Sequence, residues 1–143
     1  MRYLPYVGLA ALLAQSAAAP DALAAGKTER VSVTTGGAQA VGGDLGSLYP
    51  NISADGRLVA FHSNATNLVP GDTNGVNDIF VRDRQTGRTE RVSVSSAGAQ
   101  SDADSSNTPA MSADGRRVAF HSTATNLVPG GTNGKGQIFV RDR

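Results

Sequence analysis

The stretch "SADGRLVAFHSNATNLVPG", Ser53 to Gly71, is written a second time as "SADGRRVAFHSTATNLVPG", Ser112 to Gly130. The two copies differ only at Leu58/Arg117 and Asn64/Thr123. A second block, "KTERVSV" (Lys27 to Val33), returns as "RTERVSV" (Arg88 to Val94). The first pair lies 59 residues apart and the second 61. The drift in length falls between Gln39 and Pro50, opposite Gln100 to Pro109, and marks a surface loop. Duplication of one supersecondary unit restricts the fold to architectures that stack like units side by side. Residues 25–84 form the first repeat and residues 85–143 the second.

Each repeat divides into short strands. "YPNIS" (Tyr49 to Ser53) is extended, and "ADGR" closes a hairpin in which Asp55 bonds local backbone and Gly56 supplies a positive φ. Asp114 and Gly115 hold the same places in the second repeat. "LVAFHS" (Leu58 to Ser63) is the second strand, and a long connection over Asn64 to Asn77 leads to the third, "DIFVRDR" (Asp78 to Arg84). "QTG" turns the chain into a fourth, "RTERVSV" (Arg88 to Val94), and Thr28 to Val33 reads as the corresponding strand ahead of the first repeat. A Gly, Pro or Asx break every few residues leaves no sustained helical period in the mature chain.

Alternation puts Val59 and Phe61 on one face and Leu58, Ala60 and His62 on the other, while Ile79 and Val81 oppose Phe80. Both faces are therefore apolar, unlike a sheet with one face in water. The expected fold is all-β: two β-propeller-type blades of about four antiparallel strands each, incomplete as a ring in a single chain. An eight-stranded β-sandwich is the alternative. Because propellers use about 4–8 blades, two blades fit a fragment of a longer propeller, a homotrimer completing a six-bladed ring, or an open two-blade sandwich.

"PNISADGRLVAF" (Pro50 to Phe61) and "PAMSADGRRVAF" (Pro109 to Phe120) resemble the TolB-like propeller repeat, which reads Pro-x-Trp-Ser-Pro-Asp-Gly-Lys before an apolar strand. "IFVRDRQTGRTERVS" (Ile79 to Ser93) is similar to the rest of such a blade. Ile52 and Met111 stand in place of the Trp, Ala54 and Ala113 in place of the second Pro, and the period is longer than the family's. The resemblance implies a non-catalytic module for protein–protein interaction in the cell envelope or outside the cell. It also implies a second class, the propeller part of a longer or split protein such as a serine hydrolase.

The N-terminus reads as an export signal over residues 1–24. Arg2 gives a positive start, Tyr3 to Ala19 an apolar run, and "ALA" at Ala22 to Ala24 a cleavage site. The apolar run is short for a bilayer span, which takes roughly 20 residues, and no second such run follows. An extracytoplasmic location, periplasmic or secreted, is expected. The net charge of +1 argues against a nucleic-acid partner, and the absence of Cys removes disulfides and thiol chemistry.

One loop carries candidate chemistry. In "GDTNGVND", Asp72, Asn74 and Asp78 offer hard oxygen ligands around a glycine, the donor type that Ca²⁺ takes. The glycine spacing excludes an EF-hand. The other reading is an Asx-rich turn, and the second copy has Gly131 and Gln137 in place of the acids. His62 and His121 share one repeat position and read as packed residues. Asn51 and Asn64 stand in glycosylation sequons that the second repeat lacks. Arg82, Asp83 and Arg84 recur as Arg141, Asp142 and Arg143, read as solvent-exposed charge pairs. No G-x-S-x-G, H-E-x-x-H or phosphate-cradling motif is present. The expected function is an exported binding or scaffold module with an unidentified protein partner, without a cofactor. A Ca²⁺-stabilised structural module is the competing class.

Overall fold

A computed structural model describes residues 26–143. The expected signal peptide, residues 1–24, lies outside the described residues. Among the described residues there are seven strands: β1 (Ser47–Ile52), β2 (Leu58–Ser63), β3 (Asp78–Asp83), β4 (Arg88–Arg91), β5 (Ser105–Met111), β6 (Arg117–Ser122) and β7 (Gln137–Asp142). They form two antiparallel sheets, ordered β1-β2-β3-β4 and β5-β6-β7. The chain is all-β, with two open blade-type sheets, the second having three strands where four were expected. Among the described residues no helix is long and apolar enough to cross a membrane.

The repeat in sequence is a repeat in register. Phe61 pairs with Phe80 as Phe120 pairs with Phe139, and Ala60 with Val81 as Ala119 with Val140. Both inner hairpins carry an irregularity in the first strand, between Leu48 and Asn51 and between Ser106 and Ala110. The hairpin tips also match. Asp55 accepts from Arg57 N at 3.0 Å and Asp114 from Arg116 N at 3.0 Å. Gly56 and Gly115 sit at φ 71° and 68°, where a Cβ would crowd the carbonyl.

The "VSV" segments depart from expectation. The fourth strand stops at Arg91, and Thr28 to Val33 forms no strand. In both copies the chain makes a tight i→i+2 turn, Val33 N to Val31 O and Val94 N to Val92 O, each 2.9 Å. That turn swings the backbone out of sheet pairing. Val92 N still bonds Ile79 O at 2.8 Å, and beyond it single bridges join Val33 with Gln39 and Val94 with Gln100.

Two apolar clusters hold the units. Phe61, Phe80, Ala65 and Leu68 bury one face of the first sheet, with Ala40 and Val69 beside them. The opposite face, Ala60, Ile79 and Val81, packs on Val118, Phe120, Ala124 and Leu127 of the second unit. The face assignment read from alternation is thus the one the core uses, and the main core lies between the two sheets.

Candidate functional site

Asp72, Asn74 and Asp78 are brought together by the loop that enters β3. Asp78 is fully buried, and its carboxylate accepts from Ser93 Oγ, from Ser101 Oγ at 2.9 Å, from Asn74 Nδ2 at 3.0 Å and from Arg91 Nη1 at 3.1 Å. Arg91, from the end of β4, also reaches Asp72 Oδ1 at 3.1 Å. The Arg91 and Asp72 side chains are only 10% and 4% exposed. Burial, and then the charge of Asp78, push the Asp72 carboxyl above its ordinary range, against the opposing pull of Arg91.

The arrangement is an internal ion cluster, with one guanidinium between two carboxylates. Ca²⁺ takes 6–8 oxygen ligands. Here the oxygens of Asp78 face four donors, and Asn74 turns its amide nitrogen, not its oxygen, toward Asp78 and toward Ser101 O at 2.9 Å. As arranged, these residues do not fit that ion. Among the described residues no group of three or more His, Asp or Glu is placed to hold a metal. Ser93 and Ser101 complete the cluster and were missed in the sequence, because they come from the segment after β4 and meet Asp78 only in the fold. In the second repeat Gln137 is exposed, and Thr132 bonds Thr123 O at 3.1 Å.

His62 is buried against Tyr49, ring centroids 5.5 Å apart, and its Nε2 lies 2.9 Å from Asn77 Oδ1. Asn77 then donates its backbone N and its Nδ2 to Asp104 Oδ1, at 2.9 and 3.1 Å. The histidine thus belongs to a polar bridge between the two units. His121 faces Gly136 where His62 has Asn77, so the bridge does not recur. Both sequon asparagines are half-buried. Asn51 Oδ1 accepts from Met111 N at 3.1 Å, and Asn64 Oδ1 is buried without a partner.

The Arg-Asp-Arg ends do more than pair charges at the surface. Asp83 takes Arg57, and Asp142 takes Arg116, within their own units. Arg82 Nη1 reaches back to Thr34 O at 2.9 Å and Arg84 to Glu29. In the second unit Arg141 reaches Ser95 O at 3.2 Å and Arg143 reaches Glu90 at 2.6 Å. Each β3-type strand therefore clasps the stretch at the start of its own repeat, Glu29 to Thr34 in the first and Glu90 to Ser95 in the second. The signal was in the sequence, since both halves of the clasp recur.

The repeat also yields a pair of equivalent surface grooves. The first, near 400 Å³, runs between Thr34–Gly36 and Leu68–Pro70. The second, near 320 Å³, runs between Ser95–Ala97 and Leu127–Pro129, the same repeat positions. Hydroxyl-bearing turns form one wall, and an apolar "LVP" ridge forms the other.

The chain matches no family model and no curated protein. Among solved structures it is similar to the crystal structure of TolB from Acinetobacter baumannii, at 21% identity and a TM-score of 0.42. That likeness covers 67% of this chain and 18% of the other, so this chain corresponds to under a fifth of that protein's length.

Proposed function

We propose that this chain is an exported, non-catalytic binding or scaffold module that engages a protein partner through the two equivalent grooves. The observation that carries the reading is the recurrence of the groove at the same repeat position, with Leu68, Val69 and Pro70 matched by Leu127, Val128 and Pro129. Two like sites on one rigid scaffold suit a partner with repeated or extended apolar-polar segments, because the second contact becomes intramolecular. Export to an extracytoplasmic compartment rests on the apolar run of Tyr3 to Ala19.

Val69→Lys and Val128→Lys place a charge on each ridge, and a lysine stem covers apolar surface without unfolding it. Wild type and variants, matched for thermal unfolding, are used to retain proteins from the extracytoplasmic fraction. One protein is expected to be held by wild type, less by either single variant and not by the double. Equal retention by all four chains would sink the reading.

In the same reading Arg91 is the cation of the Asp72–Asp78 loop, and Ca²⁺ has no part in it. Titration calorimetry in millimolar Ca²⁺ is expected to show no binding heat. A saturable heat lost in Asp72→Ala would favour the calcium module instead.

A further inference from the structure

The two sheets carry the same apolar face in opposite situations. Ile79 and Val81 are fully buried between the units, whereas their counterparts Ile138 and Val140 are 71% and 64% exposed. At the other end of the molecule, Ser47 pairs with Ser63 as Ser105 pairs with Ser122, which makes Leu45 the counterpart of Ala103. Ala103 packs against the core between the units, but Leu45 is 59% exposed with Val41 exposed beside it. Each chain thus displays, at one end, one half of a contact that it also makes within itself and, at the other end, the rim of the second half, Leu45 and Ile52, beside Val59, Phe61, Ala65 and Leu68, which are already buried in their own unit.

We infer that a second copy of this chain docks head to tail, seating its Val41–Leu45 edge on the Ile138–Val140 face of the first. The internal interface supplies the geometry. Leu58 lies against Gly115 of the second unit's turn, so Arg117, in the place of Leu58, falls against Gly56 of the incoming copy. The exposed Asp55 carboxylate stands next to that glycine and is opposite in charge. Where Asn77 meets Asp104 within the chain, the docked copies bring Gly136 against Gly46, so that polar pair has no counterpart to satisfy. The two surfaces differ, so the contact is heterologous, and a ring forms if its rotation closes.

The chain has no cysteine, which permits a clean cross-linking test. Full-length Leu45→Cys and Ile138→Cys chains are mixed under mild oxidation. A disulfide-linked heterodimer is expected, in large excess over links formed by either variant alone. Light scattering on wild type is expected to show a concentration-dependent mass of about two to four copies, given the usual number of propeller blades. Ile138→Asp, which alters only an exposed side chain, is expected to weaken association at least about tenfold, the equivalent of about 1.4 kcal/mol. A wild-type chain that stays monomeric at every concentration overturns the inference. So does a cross-link formed equally without the Leu45→Cys partner, or one joining Ile138→Cys to an engineered cysteine in residues 1–25 of its own chain.

Discussion

Asp78 and Asp72 are six residues apart and share one guanidinium, yet they stand on different footings. Asp78 accepts from four side chains, and its removal leaves Arg91 and two serines facing a gap in the interior. Asp78→Ala is therefore expected to cost about 3–5 kcal/mol, measured by urea unfolding. Burial already disfavours the charged form of Asp72. Asp72→Asn leaves Arg91 paired with Asp78 and is accordingly expected to cost less than Asp78→Ala in the same assay. Equal losses at the two sites would overturn this division of roles. The hairpin glycines offer a second comparison. Gly56→Ala is expected to cost about 1–2 kcal/mol for its left-handed backbone alone. Gly115→Ala has the same φ penalty, and its Cβ also overlaps the Leu58 side chain of the other unit. It should cost more, and Leu58→Ala in the same chain should recover the difference. A reader of the sequence could see Asp-Gly as a turn. That one glycine abuts the neighbouring unit while its twin does not follows only from how the units pack.

Strands were the most legible elements. Alternation over Leu58 to Ser63 and Asp78 to Arg84 gave the facing, because each side chain has only two faces to choose between, and the extent to within one residue, the third strand ending at Asp83. The "VSV" segments were misread because Val, Ser and Val suit a strand, and nothing local announces the i→i+2 turn that removes them from the sheet. The loop cluster was half legible. Asp72, Asn74 and Asp78 announce themselves by spacing, but their cation comes from β4 and reads there as a surface arginine. Position within a sheet also separates otherwise matched strands. β3 lies between β2 and β4 with its apolar side chains buried, whereas β7 pairs with β6 alone among the described residues. Amide exchange by mass spectrometry on dilute protein should be at least about tenfold slower across Ile79–Val81 than across Ile138–Val140. Matching rates would contradict the packing.

For the whole molecule, charge pairing sets an acid limit. Glu29, Asp55, Asp83, Asp102, Asp114 and Asp142 are all held below their ordinary range, chiefly by hydrogen bonds from arginine, serine or threonine side chains. Such groups bind fewer protons folded than unfolded. The stability they contribute is present above the ordinary carboxylate range and is lost as pH falls through the lowered values. Asp72 has the opposite sign: its contribution is largest in acid and declines as pH rises. Six against one predicts a melting temperature that climbs with pH from about 2 to about 4 and then levels. Most of these carboxylates are near the surface, so salt should flatten the climb. A melting temperature that falls across that interval would contradict the assignment. The core shared between the units adds a constraint in time. Val81 leaves the ribosome well before Phe120, the residue that covers its face, and at about 5–20 residues per second the delay is on the order of seconds. Through that interval the first unit is bare, and the second units of neighbouring chains carry the same covering residues as its own. Crowded synthesis would therefore favour exchanged pairs, and dilution during synthesis, more than any later treatment, would decide how much of the protein is self-covered.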